Sequence, residues 1–156
     1  MLKFVPLNHA QIAAMIPHAG NMCLLDAVTS WDENQIVCQA NSHRDLQNPL
    51  RTAGNLSILA GIEYAAQAMA VHGRLLADNA GRAVAERFPA GRLVSARGLL
   101  CSVARLDDIS DNLRIQAQRV MGDDHNLLYT FVIQEHENIL IEGKVSVLIA
   151  DNTPIN

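Results

Sequence analysis

The sequence predicts an α+β domain in which one long helix is wrapped by a curved antiparallel sheet of about six strands. Three observations carry this. Residues 56–77 are the strongest helical stretch, rich in Ala, Leu, Met, Gln and Glu and poor in β-branched residues. That stretch has almost no polar face before Arg74, and a helix apolar nearly all round has to be buried nearly all round. The second half of the chain then supplies four long strand-like stretches with short, turn-rich connectors, the pattern of antiparallel neighbours. At 156 residues the chain is one domain, 1–156, with room for a core of its own.

Taken in order, residues 7–16 read as a short helix with Asn8 as N-cap and Pro17 as the stop. Residues 22–30 and 35–40 read as strands of a hairpin around the turn cluster Trp31-Asp32-Glu33-Asn34. Residues 41–55 are polar, contain Pro49 and Gly54, and read as a loop, after which Asn55 or Ser57 caps the long helix. The remaining strands are 92–106, 111–121, 126–135 and 138–150. In the last, Ile139, Ile141, Val145, Val147 and Ile149 point one way and Glu142, Lys144 and Ser146 the other. In 111–121, Leu113, Ile115 and Ala117 alternate with Arg114, Gln116 and Gln118.

Composition removes several classes of function. The net charge is −4 with no basic stripe, which argues against nucleic acid as a partner. Apolar residues are 49% and charged residues 18%, which excludes disorder. Cys23, Cys38 and Cys101 form neither a disulfide framework nor a zinc pattern, so a reducing cytoplasm is expected. The longest stretch without charge, Phe4 to Leu25, is broken by Pro6, Asn8, His9, Gln11, Pro17, His18 and Asn21. It reads as neither a spanning helix nor a signal peptide, so no membrane association is expected.

Two segments carry a family resemblance. Ile16-Pro17-His18-Ala19-Gly20-Asn21-Met22-Cys23-Leu24-Leu25-Asp26-Ala27-Val28 resembles the L-P-H-R-x-P-x-L-L-x-D-R-V segment of β-hydroxyacyl-acyl-carrier-protein dehydratases. Gly61-Ile62-Glu63-Tyr64-Ala65-Ala66-Gln67-Ala68 resembles their active-site helix, and Val103 to Asp108 lies where they carry V-x-P-G-D. The resemblance implies a hotdog fold, subunits paired through a continuous sheet, and active sites at the subunit interface. It is strongest to the aryl-polyene-type branch, where one hotdog subunit pairs with a second copy or with a different hotdog chain. The family's G-H-F-P motif with its catalytic histidine is absent. Counting back from Glu63 puts Pro49 in the histidine's place, and His43 reaches it only with an insertion before the helix.

For chemistry, Glu63 stands out as the one acid between residues 46 and 77, expected to be buried mid-helix as the acid toward a β-hydroxyl. Gln67, four residues on, is expected to orient it. His43 is the candidate base for the α-proton. Tyr64 and His18 are candidates for lining or bracing the substrate site. Gly54 is the nearest upstream match for the family's glycine at the helix start. Backbone N–H groups of residues 54–58 would polarise the thioester carbonyl. The reaction implied is elimination of water from a 3-hydroxyacyl thioester on the phosphopantetheine arm of an acyl carrier protein, with no metal or other cofactor. Two alternatives stand beside it: a catalytically incomplete subunit that stabilises an active partner, and an acyl thioesterase. Asp26 is expected to be a structural acceptor, His72 a core or interface histidine, and Glu135-His136-Glu137 a solvated hairpin tip rather than a metal cluster.

Overall fold

The computed structural model describes residues 6–16, 20–81, 91–123 and 125–149. Helix α1 spans His9–Met15. Asn8, in the two-residue strand β1 (Leu7–Asn8), caps it as expected. The Asn8 side chain accepts from the Gln11 N–H and the Gln11 side chain accepts from the Asn8 N–H, both at 2.9 Å, a complete capping box. Strands β2 (Ala27–Trp31) and β3 (Gln35–Ala40) form the expected hairpin. Its turn is closed by Asp32, whose carboxylate accepts from the N–H groups of Asn34 and Gln35. β2 starts later than the sequence suggests, because residues 22–24 are held by side chains from elsewhere rather than by a ladder.

Helix α2 spans Gly61–Asn79, preceded by a 3₁₀ turn at Ile58–Ala60 that Ser57 caps through its side chain. After it come β4 (Gly91–Cys101), β5 (Leu113–Gly122), β6 (Asn126–Glu135) and β7 (Asn138–Ile149). All strand pairs are antiparallel, in the order β1-β2-β3-β5-β6-β7-β4. The count is the expected six plus the short β1. α2 lies across the sheet with Tyr64, Ala65, Ala68, Val71 and Leu75 buried. They join Ile36, Cys38, Ile115, Ala117, Phe131, Ile133, Ile141 and Val145 of the sheet in one core. A long helix clasped by a curved antiparallel sheet is the hotdog arrangement.

Two expectations are corrected. β4 and β5 are not neighbours: β4 sits at the sheet edge against β7, and β5 lies between β3 and β6. The connector does not turn back at Asp107-Asp108. It pairs instead with the segment ahead of α2, where the Ile58 N–H donates to Ala104 O and the Leu106 N–H to Leu56 O. In β7 the alternation breaks at its start. A register shift opposite Ile133/Gln134 turns Leu140 inward (3% exposed) and leaves Ile139 outside (45%).

His136 stands at the β6–β7 tip in a left-handed conformation (φ 51°), with Nε2 2.7 Å from the Asp111 carboxylate. Both partners are exposed, so the pair adds little. Relief of the left-handed backbone by glycine is offset by the larger entropy of the unfolded chain. The expected result for His136→Gly is a melting temperature within about 2 °C of the parent. A thermal melt checks it, and a large drop would make the tip a structural anchor.

Candidate functional site

The start of α2 is built by its own first residue and by one that reaches it from elsewhere. Gly61 lets the helix settle on the sheet: a Cβ there would stand 3.1 Å from both Ile133 Cδ1 and Ile141 Cγ2. Gly61, rather than Gly54, is therefore the glycine at the helix start. Gly54 is exposed in the turn between Thr52 and Asn55, where Ala53 (φ 53°) and Gly54 (φ 82°) both take left-handed angles. Asp107 is the second. Its carboxylate accepts from the Leu56 N–H at 2.9 Å and from the Arg105 guanidinium, which holds it well below the usual carboxylate range.

The backbone donors expected to polarise a thioester are mostly engaged already. Asn55 N–H donates to Thr52 O, Leu56 to Asp107, Ile58 to Ala104 O, Leu59 to Ser57 Oγ, and Ala60 to Ser57 O. The Gly61 N–H is shared between Ile58 O and Leu59 O. The crossover after β4 takes two of these donors, Leu56 and Ile58, a long-range arrangement that the local sequence does not reveal, and local turns engage the others.

Glu63 is placed differently from the expectation. It lies in the first turn of α2, half-buried rather than enclosed. The sheet covers the face of Tyr64, Gln67, Ala68 and Val71, leaving a stripe of Leu59, Ile62, Glu63, Ala66 and Ala70 only partly covered. Helical spacing puts these five on one side. Glu63 is the single charged member of an otherwise apolar stripe, so its carboxyl faces whatever covers that stripe.

Gln67 does not orient Glu63. Its buried amide spans the segment before β2, accepting from the Leu24 N–H at 2.8 Å and donating to Met22 O at 2.7 Å. Tyr64, also fully buried, belongs to a directed chain. Asn48 Nδ2 donates to the Tyr64 hydroxyl, Tyr64 donates to Ser42 Oγ, and Ser42 donates to Leu24 O. The direction follows because a carbonyl only accepts. Asp26 is the structural acceptor expected of it, taking the Asn41 N–H at 2.5 Å. Tyr64 and Gln67 thus fasten the segment that carries the resemblance to the helix that carries Glu63. Ser42 and Asn48, which the sequence reading passed over, complete that fastening. A polar residue in a polar loop gives no sign that it will be buried. His18 lies outside the described residues.

His43 is fully buried, in the 3₁₀ turn Ser42–Arg44. Its Nε2–H donates to Ile109 O at 3.0 Å, tying the loop to the crossover after β4. Burial pushes its pKa down. Sealed from solvent, the ring acts as a brace in this arrangement and is not presented to a substrate. His72 is the core histidine of the two expected alternatives. Its Nε2–H donates to Asp32 O at 2.7 Å and its Nδ1 accepts from the Tyr129 hydroxyl at 2.6 Å. Burial lowers its pKa as well.

Burial disfavours the charged form of both rings in the folded protein, whereas an exposed ring takes up a proton near the ordinary value of 6.5. The unfolded state then binds more protons, so stability is present above that value and is lost as pH falls through it toward the lowered folded values. The urea midpoint is expected to be lower at a pH near 5.5 than near 7.5, an interval in which carboxylates stay ionised. Equal midpoints would mean that neither ring is held neutral.

Among the described residues no group of three or more His, Cys, Asp or Glu side chains is placed to hold a metal ion. Cys23, Cys38 and Cys101 are all free. No described helix is long and apolar enough to cross a membrane.

A curved antiparallel sheet wrapped around one long helix defines a hotdog protein. Residues 10–154 match the ApeP-like family, described as ApeP dehydratase, and the chain belongs to that family. Among solved structures it is similar to the dehydratase heterocomplex ApeI:P from Xenorhabdus doucetiae. That match has 22% identity, 96% coverage of this chain, 94% of the other, and a TM-score of 0.80. It is also similar to a thioesterase from Haemophilus influenzae, at 11% identity, 80% and 77% coverage, and a TM-score of 0.53. A thioesterase from Staphylococcus aureus matches at 12% identity, 78% and 89% coverage, and a TM-score of 0.53. At these identities the structures establish the fold. No curated protein sequence matches the chain.

Proposed function

We propose that this chain is one subunit of a paired hotdog assembly that eliminates water from a 3-hydroxyacyl thioester carried on an acyl carrier protein. The observation that carries the reading is the position of Glu63, in a chain that belongs to a dehydratase family. It is the one charged group on a half-covered apolar stripe, while His43 and the N–H groups around it are engaged within the fold. Elimination needs a base for the acidic α-proton and an acid for the departing hydroxyl. Glu63 delivers the proton that leaves with the hydroxyl as water, and a histidine of the partner subunit takes the α-proton. The electron pair of the broken C–H bond becomes the new double bond. The donor for the thioester oxygen is likewise the partner's.

The ApeI:P structure is a heterocomplex. That likeness supports a second, different hotdog subunit over a second copy of this chain. The phosphopantetheine arm of the carrier protein brings the acyl group, no metal is called for, and the free cysteines suit the cytoplasm. A second reading has the engaged donors in its favour: the chain only stabilises an active partner and takes no part in proton transfer.

The test is mass spectrometry of a 3-hydroxyacyl carrier-protein substrate after incubation with the reconstituted pair. The expected product has lost one water and keeps its thioester. Release of free hydroxy acid would make the protein a thioesterase and overturn the proposal.

A further inference from the structure

We propose that the outer edge of β4 selects its partner by charge: it accepts an edge strand bearing a carboxylate opposite Arg97 and rejects a second copy of this chain. The inference rests on the paired reading above and adds to it the chemistry of the partner.

The two edges of the sheet are unlike. At one end β1 has only two residues; at the other β4 has eleven and, among the described residues, is hydrogen-bonded on one side only, to β7. β4 also carries exposed apolar side chains, with Leu93, Val94 and Leu100 at 41%, 63% and 65% exposure. A long apolar edge with unpaired N–H and C=O groups is a template for another strand.

The charge on that edge has one sign. Between Gly91 and Cys101 the sequence holds two arginines and no acid. Arg97 lies opposite Lys144 in the ladder with β7. Both are exposed, and neither has an ion-pair partner among the described residues. They line an open hollow of about 980 Å³ on one face of β4, β6 and β7, with Val94, Leu100, Leu128 and Val132. Glu142 is the one carboxylate among the residues lining it.

Now pair two copies antiparallel about the middle of the strand. A two-fold axis normal to the sheet keeps both Arg97 side chains on the same face. An axis near Ala96 sets each one two positions from its twin, with both Lys144 side chains in the flanking strands. Like charges across a seam oppose pairing, and a carboxylate in the same place favours it. Repulsion of this kind discriminates between partners without changing the apolar contacts.

The experiment needs only this chain and its Arg97→Glu variant, an exposed substitution that leaves the core alone. Sedimentation velocity is run on each chain and on their equimolar mixture, at about 50 mM and about 500 mM salt. Amide exchange along β4 is followed in parallel. The mixture is expected to pair about tenfold more tightly than the wild-type chain alone. Salt is expected to weaken the mixed pair and strengthen the wild-type one, and β4 amides should be slowed in the mixture. Wild-type pairing as tight as the mixture, or pairing through β4 indifferent to salt, overturns the charge selection but leaves a paired assembly standing. Absence of pairing in every sample, with β4 amides exchanging freely throughout, overturns this inference, because a carboxylate facing Arg97 would then not make β4 accept a strand, and leaves pairing with a different subunit standing.

Discussion

Glu63→Gln in the assembled pair is expected to lower the dehydration rate by about 10²-fold or more, the usual scale for losing one acid–base group. Glutamine keeps the volume and the hydrogen-bonding reach of the carboxyl and removes only the proton it can transfer. Glu63 is half-buried on a stripe that the chain's own sheet leaves partly uncovered, so the core has no need of its charge. Folding and pairing are therefore expected to be unchanged, with a melting temperature within about 2 °C of the parent. A steady-state assay of the pair, alongside a thermal melt, separates the two readings of the chain. Full turnover by a folded, paired variant would remove Glu63 from the mechanism and leave the stabilising-subunit reading in its place.

Gln67→Leu is expected to have the largest effect on stability. Leucine fills similar space but strands two backbone groups. The Leu24 N–H loses its buried acceptor and Met22 O loses its donor. An orphaned buried polar group costs about 1–3 kcal/mol, so about 2–6 kcal/mol is expected from the two together. For a domain of this size that lowers the melting temperature by roughly 5–20 °C. Urea denaturation checks it: a midpoint unchanged from the parent would mean that the segment before β2 is held by something other than this amide. The effect lies on packing rather than chemistry, because the same residue sits one turn beyond Glu63 without touching its function.

The fold was largely legible because its signals are local. Apolar residues crowd 56–77, Leu113, Ile115 and Ala117 alternate cleanly, and Asn8 and Gln11 form a capping box three residues apart. The order of strands was not legible. The connector after β4 looks like a tight turn, yet its partners, Leu56 and Ile58, lie some fifty residues upstream. The isolation of Glu63 is visible in the sequence, but its half-buried place in the first turn of α2 and its surroundings were not. Gln67 stands four residues from Glu63, the spacing of a supporting partner, whereas tertiary packing turns it toward Met22 and Leu24. His43 looks available because its neighbours are polar. In the fold it is buried, and its ring is tied to the carbonyl of Ile109, sixty-six residues away. Period and spacing report which face a residue occupies, not which distant segment will meet it.

The central claim is that Glu63 acts only within a paired assembly whose other subunit supplies the base. The most direct measurement is the rate of water loss from a 3-hydroxyacyl carrier-protein substrate with this chain alone, with a second, different hotdog subunit alone, and with the two together. The expected result is turnover by the pair that exceeds the sum of the separate rates by about 10²-fold or more, on the scale of a missing acid–base group. Full turnover by this chain alone would contradict the account, because it would require a base and an oxyanion donor that His43 and the engaged backbone groups do not supply.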